Sequence, residues 1–288
     1  AFNSSAGQTS WRNSLATRLL LLLAAVATQL LATVALLGWF TFISSRDRAL
    51  GEMRDSTAAV ASMMEQVDEA GRVSATQSYP LLADQLPAVM FSLETTGDKP
   101  RLLWGGVDMA GNESAVDQFQ RQTGGVATVF VREGDDFRRV TTSLKKEDGS
   151  RAVGTLLDRS HPAYALMVRG EAYAGPATLF GRPYMTVYEP IREGNRTIGI
   201  LFIGSDMGAI LGKLDTVMAG QKLFATGAVY AVNLSAGPAR GNIFGLPGAG
   251  KSLKVDEKDE QAKAWMASLA VVGQAGDLES DWSPRRSG

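Results

Sequence analysis

Hydrophobic and polar positions change their period twice along the chain. Residues 19–43 are almost entirely apolar, and no charged residue occurs between Arg18 and Arg46. A run of about 20 apolar residues is long enough to cross a bilayer, so the pattern predicts a transmembrane helix at residues 19–43. The run is too long for the core of a typical signal peptide, and no clear A-x-A cleavage site lies where the run meets the polar chain. We therefore expect an uncleaved anchor. Arginines flank both ends, so they do not orient it.

A helical stripe follows the apolar run, over residues 45–77. Apolar side chains recur there at three- and four-residue steps: Leu50, Met53, Val60, Met64 and Val67, with Thr57 in the gap. Such a stripe is typical of a dimerisation helix or of a helix packed on its own domain, and the pattern leaves both open. Beyond Pro80, the pattern predicts a second helical stretch at residues 81–93 and a short helix at residues 116–122.

From residue 124 the period is that of strands separated by tight turns. The pattern predicts strands at residues 125–131, 137–144, 151–156, 172–180, 184–191 and 197–203, with one helix among them at residues 162–168. Closely spaced strands joined by short turns indicate an antiparallel sheet. Because helices precede and interrupt that sheet, we expect an α+β fold.

The last part of the chain repeats this pattern weakly. The pattern at residues 207–219 predicts a connecting helix. A strand, turn and strand begin at residue 226 and resemble the opening of the sheet. A helix at residues 257–272 and a strand at residues 278–282 would complete a second, partial unit.

Composition excludes several kinds of chemistry. The 288 residues include 29 Lys+Arg and 30 Asp+Glu, so no basic excess indicates nucleic acid. Cysteine is absent and His161 is the single histidine, which excludes thiolate zinc sites and His-rich metal sites. The sequence Ser160-His161-Pro162 predicts a helix start capped by the serine. We therefore expect no catalytic residue, metal or cofactor.

One motif favours a different function. Gly245 to Ser252, GLPGAGKS, matches the phosphate-binding pattern G-x-x-x-x-G-K-[ST]. In such a loop Lys251 would reach the phosphates and Ser252 would hold magnesium. The loop requires a buried parallel strand directly before it, and residues 237–242 are mostly polar residues, glycine and proline. A P-loop nucleotide-binding protein is therefore the less favoured alternative.

Five segments within residues 124–204 resemble a Cache-type sensor domain: GGVATVFV, FRRVTTSL, RAVGTLL, HPAYALMVRGEAYAGPATLFGRPYMTVYEPI and GNRTIGILFIG. The resemblance is to the Cache type 3–type 2 fusion found in methyl-accepting chemotaxis proteins. It implies a PAS-like antiparallel sheet that faces the periplasm, preceded by a long membrane-proximal helix. It also implies that Gly250-Lys251 is a Gly-Lys turn of such sensors.

The resemblance implies an organisation in five parts: residues 1–18 cytoplasmic, 19–43 a transmembrane helix, 45–123 a periplasmic helical region, 124–206 a PAS-like Cache subdomain, and 207–288 a connecting helix with a second, truncated Cache-like subdomain. It further implies an inner-membrane chemoreceptor, a homodimer, whose output module lies outside this chain. Because the chain begins with Ala1, we expect a fragment or a processed product. The alternatives are the sensor region of a histidine kinase or of a cyclic-dinucleotide enzyme.

A small-molecule pocket would use one face of the predicted sheet. Side chains of one parity point to that face, and the predicted ligand-binding residues are Phe130, Arg139, Thr141, Tyr164, Met167, Tyr173, Tyr184, Thr186 and Tyr188. Arg139 can grip a carboxylate with two parallel hydrogen bonds. Arg138 has the opposite parity and takes this role if the other face forms the pocket. Each aromatic residue can equally be part of the core.

Overall fold

The computed structural model describes residues 7–97, 99–220, 222–223, 227–228, 230–234, 241–245, 253–255 and 258–272. The chain divides into two units, residues 1–59 and residues 60–288. One helix, α1 (Gly7–Ser78), covers both stretches that the sequence predicts to be helical. The prediction that residues 45–77 continue the apolar helix is therefore confirmed.

The first unit contains the apolar part of α1. Among the described residues, α1 is the one helix that is long and apolar enough to cross a membrane, and none of its most apolar stretch is buried. Threonine hydroxyls in this stretch donate back to helix carbonyls, Thr28 to Ala24 and Thr33 to Gln29. These bonds satisfy the hydroxyls within the helix itself.

A five-stranded antiparallel sheet is the centre of the second unit. Its strand order is β5-β4-β8-β7-β6, and the strands are β4 (Val126–Glu133), β5 (Asp136–Thr142), β6 (Tyr173–Leu179), β7 (Arg182–Glu193) and β8 (Arg196–Asp206). Helix α4 (Pro162–Arg169) lies between β5 and β6 in sequence. The predicted strands and this helix are confirmed, except at residues 151–156. There Arg151 and Leu156 each form only a single bridge.

Side chains of alternating parity give the sheet two buried faces. One face packs against α4, and we call it the α4 face. Its large buried side chains are Phe130, Tyr184, Tyr188, Ile200 and Phe202 from the sheet, with Ala163 and Met167 from α4. The opposite face, which we call the α1 face, is built from aliphatic residues such as Val129, Val187 and Ile203.

N-terminal elements cover the α1 face. They are the end of α1, α2 (Pro80–Ala83), a 3-10 turn (Ala88–Met90), a three-stranded sheet of β1 (Phe91–Glu94), β2 (Arg101–Trp104) and β3 (Val107–Asp108), and α3 (Ser114–Thr123). The helix predicted at residues 81–93 is wrong beyond residue 83. Pro87 has an extended backbone, with ψ at 124°, and Phe91 then pairs with Trp104 as a strand.

The second unit continues with α5 (Gly208–Gly220) and shorter elements: β9 (Lys222–Leu223), β10 (Gly227–Ala228), β11 (Ala231–Val232), β12 (Asn242–Phe244), β13 (Leu253–Lys254) and α6 (Glu260–Val272). The predicted strand–turn–strand corresponds to β11 and β12, which pair antiparallel. The strand predicted at residues 278–282 lies outside the described residues.

The helical stripe of α1 has different environments along its length. Val60 is buried against Met218 of α5, and Met64 packs beside them. The interpretation as a helix packed on its own domain is therefore correct for these two positions. Met53, seven residues earlier than Val60, is exposed.

Gly199 on β8 lets the N-terminal sheet approach the central sheet closely. A Cβ atom at this position would lie 2.5 Å from the Phe130 carbonyl oxygen and 3.0 Å from Leu102. We expect Gly199→Ala to lower the free energy of unfolding by about 3 kcal/mol, because backbone atoms cannot move aside. Chemical denaturation of the full chain measures this difference.

Gly212 in the middle of α5 provides the matched control, since a Cβ atom there would have no other atom within 4 Å and the φ of Gly212 is ordinary. Gly212→Ala should stabilise the protein by up to about 1 kcal/mol through helix propensity. Equal effects of the two substitutions would show that neither the Phe130 carbonyl nor Leu102 crowds position 199.

Candidate functional site

A β-bulge decides which side chains of β5 enter the α4 face. Val129 pairs with Thr141 and Phe130 pairs with Arg139, so Val140 is the extra residue between them. Because of this extra residue, residues of β5 that are two apart in sequence across the bulge point to opposite faces of the sheet. Arg139 therefore lies on the α4 face beside Phe130, whereas Thr141 lies on the other face, beside Val129.

Arg139 is buried, with 3% of its surface exposed. Its Nη1 atom donates hydrogen bonds to Thr155 Oγ1 at 2.8 Å and to the Leu156 carbonyl at 3.2 Å. The guanidinium lies 4.7 Å from the centre of the Phe130 ring. Its buried Nε atom has no hydrogen-bond partner, and no described carboxylate forms an ion pair with it. Burial lowers the pKa of Arg139 from its ordinary value, because a charged group loses its hydration there.

Tyr188 and His161 add two further unpaired polar atoms to the α4 face. Tyr188 is completely buried and its hydroxyl has no partner; burial raises its pKa, against the opposing effect of the Arg139 charge. The His161 ring centre lies 5.5 Å from that of Tyr188 and 5.3 Å from that of Tyr173. His161 Nε2 is buried and makes no hydrogen bond of good geometry among the described residues. The nearby Pro176 carbonyl favours a proton on the ring and so acts to raise the pKa of His161.

These three atoms are all hydrogen-bond donors. His161 Nδ1 accepts a hydrogen bond from the Ala163 amide at 3.2 Å, so the proton of the neutral ring is on Nε2. Arg139 Nε and the Tyr188 hydroxyl also carry protons. Three of the four buried polar side-chain atoms without a partner in the described part of the chain lie in this cluster. A ligand with acceptor oxygens, a carboxylate above all, would complement it.

Sequence reasoning assigned His161 a structural role, with Ser160 as the cap of α4. The structure agrees with a structural role but corrects the identity of the cap, because the capping side chain is His161 itself. Ser160 instead bonds to the Asp158 carboxylate. The sequence signal for His161 is its position directly before Pro162, at the start of the helix predicted at residues 162–168.

The structure brings most of the predicted site residues together. Phe130, Met167, Tyr184 and Tyr188 belong to the α4 face, and Tyr173 packs against them. Thr186 has the same parity as Tyr184 and Tyr188, but its hydroxyl already donates to the Gly175 carbonyl at 2.7 Å. One row of paired residues crosses all five strands, through Thr142, Thr128, Phe202, Tyr188 and Tyr173.

Two predicted residues lie elsewhere. The Thr141 hydroxyl donates to the Asn112 carbonyl at 3.0 Å, in the layer that covers the α1 face. The prediction that Thr141 shares a face with Arg139 is therefore wrong, and the bulge is the reason. The Tyr164 hydroxyl donates to the Asp135 carbonyl at 2.6 Å, and the ring packs edge-on against Phe137 at the periphery of the α4 face.

Tyr164 lines an open surface groove of about 420 Å³, together with Arg132, Asp135, Arg159, Ala165, Val168 and Arg169. The groove does not include Arg139, Tyr188 or His161. Its arginines already have partners: Arg159 pairs with Asp136 and Arg169 with Glu171. We therefore place the candidate site at the buried cluster, whose donors lack partners.

The P-loop alternative conflicts with the topology around Gly245. The strand before it, β12, pairs antiparallel with β13, which follows the motif, so the motif joins two strands of a hairpin. A P-loop joins a parallel strand to a helix. The Gly245 amide donates to the Asp215 carboxylate at 2.6 Å, and a carboxylate there would repel phosphate. Residues 246–252 lie outside the described part of the chain.

This sheet, with its long N-terminal helix and a polar cluster on one buried face, is that of an extracellular small-molecule-sensing domain. The sequence model of the Cache 3/Cache 2 fusion domain matches residues 44–286, and the chain belongs to this family. The curated proteins contain no match to the chain.

The unpaired hydroxyl of Tyr188 generates a prediction for the ligand-free protein. Tyr188→Phe removes a buried donor that lacks a partner, so we expect the free energy of unfolding to rise by about 1 kcal/mol. Tyr164→Phe is the matched control, because it removes a formed hydrogen bond and should lower that free energy by about 1 kcal/mol. Denaturant titrations compare them. A loss of stability in Tyr188→Phe as large as in Tyr164→Phe would mean that the Tyr188 hydroxyl has a partner.

Proposed function

We propose that this chain is the sensory region of a bacterial transmembrane chemoreceptor. Residues 19–43 anchor it in the inner membrane, and the Cache region faces the periplasm and binds a small carboxylate. Binding changes the state of α1, and a separate cytoplasmic module produces the output. The chain itself has no catalytic role in this proposal.

The single observation that carries the ligand class is the buried Arg139, which has no acidic partner among the residues that the structure describes. A buried charge is costly unless it is paired and hydrogen-bonded. Arg139 shares its face with two further unpaired donors, Tyr188 Oη and His161 Nε2. A carboxylate supplies both the negative charge and the acceptor oxygens that these groups lack.

Support for the anchor comes from the exposed apolar surface of α1. Large side chains from Leu19 to Phe42 are more than half exposed. Water would oppose so large an apolar surface on a single helix, whereas a bilayer accommodates it. A periplasmic Cache region then places residues 1–18 in the cytoplasm.

The output and the oligomeric state extend this proposal. Membership of the Cache 3/Cache 2 family agrees with a chemoreceptor, and also with a histidine kinase or a cyclic-dinucleotide enzyme, so the sequence of the output module in the complete gene distinguishes them.

We propose a homodimer along the membrane-proximal part of α1, where Met53 is exposed on the helical stripe.

Arg139 provides the test of the ligand class. We expect short mono- and dicarboxylates, but not the corresponding amides, to raise the melting temperature of the full chain in detergent. In Arg139→Gln the affinity should fall by at least about 30-fold, which corresponds to about 2 kcal/mol for a buried charge pair. Isothermal titration with the best carboxylate of the panel measures it.

Arg138→Gln is the matched control. Arg138 is adjacent in sequence but pairs with Glu133 at 2.6 Å and has the opposite parity, so this variant should keep the wild-type affinity. Equal losses in both variants would reject Arg139 as the binding group. Stabilisation by neutral compounds alone would reject the carboxylate class.

The anchor has its own test. The full chain should remain in the membrane fraction after carbonate extraction, because a span of about 20 apolar residues is held by burial in the bilayer. Replacing Leu30 and Val34 by Arg introduces two charges at the middle of the span, at about 3 kcal/mol each. We expect this variant to be extracted, whereas the same change at exposed Met53 and Met63 should have no effect. Extraction of the unaltered chain would contradict the anchor.

A further inference from the structure

His161 holds the first turn of α4. Its Nδ1 atom accepts the hydrogen bond from the Ala163 amide, and it is the N-cap of the helix. A second proton on the imidazole binds to Nδ1, since Nε2 already carries one. An imidazolium cannot accept a hydrogen bond. Protonation of His161 therefore removes the cap and leaves the Ala163 amide without an acceptor.

The other end of α4 is attached independently. The Thr197 hydroxyl on β8 donates to the Met167 carbonyl at 2.8 Å, and Gly170 closes the last turn in the left-handed conformation. Both contacts are unaffected by a proton on His161. Loss of the cap therefore loosens the first turn of α4 while its last turn stays on the sheet.

The surroundings of His161 determine when it takes up a proton. Burial lowers its pKa below the ordinary value of 6.5, while the Pro176 carbonyl and the Asp158 carboxylate act in the opposite direction. The titratable and charged groups around this part of the face are Asp158 in the preceding loop, Tyr173 on β6, Tyr188 on β7 and Arg139 on β5. Arg72 and Asp68 on α1 act in turn on the pKa of Tyr173.

We propose that this domain is also a proton sensor, in which acidification protonates His161, releases the first turn of α4 and changes the cover of the buried cluster. The stimulus is the proton itself, so the proposal does not depend on a carboxylate ligand. Tyr173, which contacts His161, precedes Ala174, whose carbonyl accepts a hydrogen bond from Arg72 of α1. A change at the start of α4 therefore reaches α1 through β6.

The pH dependence of stability follows from the lowered pKa. Below pH 6.5 the unfolded chain binds a proton at His161 more readily than the folded chain does. The folded state therefore loses stability as the pH falls from 6.5 through the pKa of folded His161, and this loss is absent at higher pH. His161→Asn should not show it, because asparagine caps a helix but does not titrate.

The decisive experiment uses the full chain in detergent micelles at pH 7.5 and at pH 5.0. Because the chain has one histidine, all NMR signals of a labelled imidazole come from His161, and their titration shows directly whether folded His161 takes up a proton. Hydrogen-exchange mass spectrometry of the peptide that contains α4 then reports on the first turn. We expect exchange there, corrected for the intrinsic rate, to accelerate about fivefold on acidification, as for the loss of an N-cap.

Three variants complete the design. His161→Asn and His161→Ser keep a capping side chain. In both variants we expect the corrected exchange rate of α4 to be the same at the two pH values. The second variant keeps the test valid if the first does not fold. His161→Ala lacks the cap and should exchange fast at both. The proposal is overturned if folded His161 does not titrate down to pH 5.0, if α4 exchange in the wild type is independent of pH, or if the capping variants accelerate as the wild type does.

Discussion

A buried guanidinium, with no counter-charge in the described part of the chain, is the constraint around which the α4 face is arranged. Arg139 retains hydrogen bonds to Thr155 and Leu156 and the ring face of Phe130. These contacts replace part of its lost hydration, but Nε remains without a partner. A charge in this position costs stability in the empty protein. In the proposed function, a ligand that brings the missing charge would recover that cost and so link occupancy of the site to the stability of the domain.

The two faces of the sheet differ in how completely their buried polar groups are paired. The α1 face is aliphatic and is covered by N-terminal elements, close enough that Gly199 leaves no room for a side chain beside Leu102. It supplies burial of apolar surface, the main favourable contribution to folding. The α4 face can therefore retain unpaired donors, at Arg139, Tyr188 and His161, which a domain of this size tolerates only where the rest of its core is well packed.

The edge strand β6 joins the site to the long helix. Tyr173 contacts the buried cluster, and the Ala174 carbonyl accepts a hydrogen bond from Arg72 on α1. Asp68 holds the same guanidinium, at 2.8 Å, in a partly exposed ion pair. Such pairs contribute little to stability. This ion pair lies within α1, so the contact between α1 and β6 at this point is the hydrogen bond from Arg72 to Ala174, which the proposed function uses as its signalling contact.

The sequence by itself determined the elements that local periodicity specifies. These are the apolar run at residues 19–43, its helical continuation, the strands of the central sheet, and the set of aromatic residues with Arg139. The tertiary structure decided the rest: the bulge that turns Thr141 away, the strand at Phe91, the cap by His161 and the hairpin around Gly245. The His161 cap is made to Ala163, two residues on, and the hydrophobic pattern does not show which side chain caps the helix. The other three depend on partners further along the chain, such as Thr141 paired with Val129 or Phe91 paired with Trp104. Local periodicity carries no information about which distant segment supplies that partner.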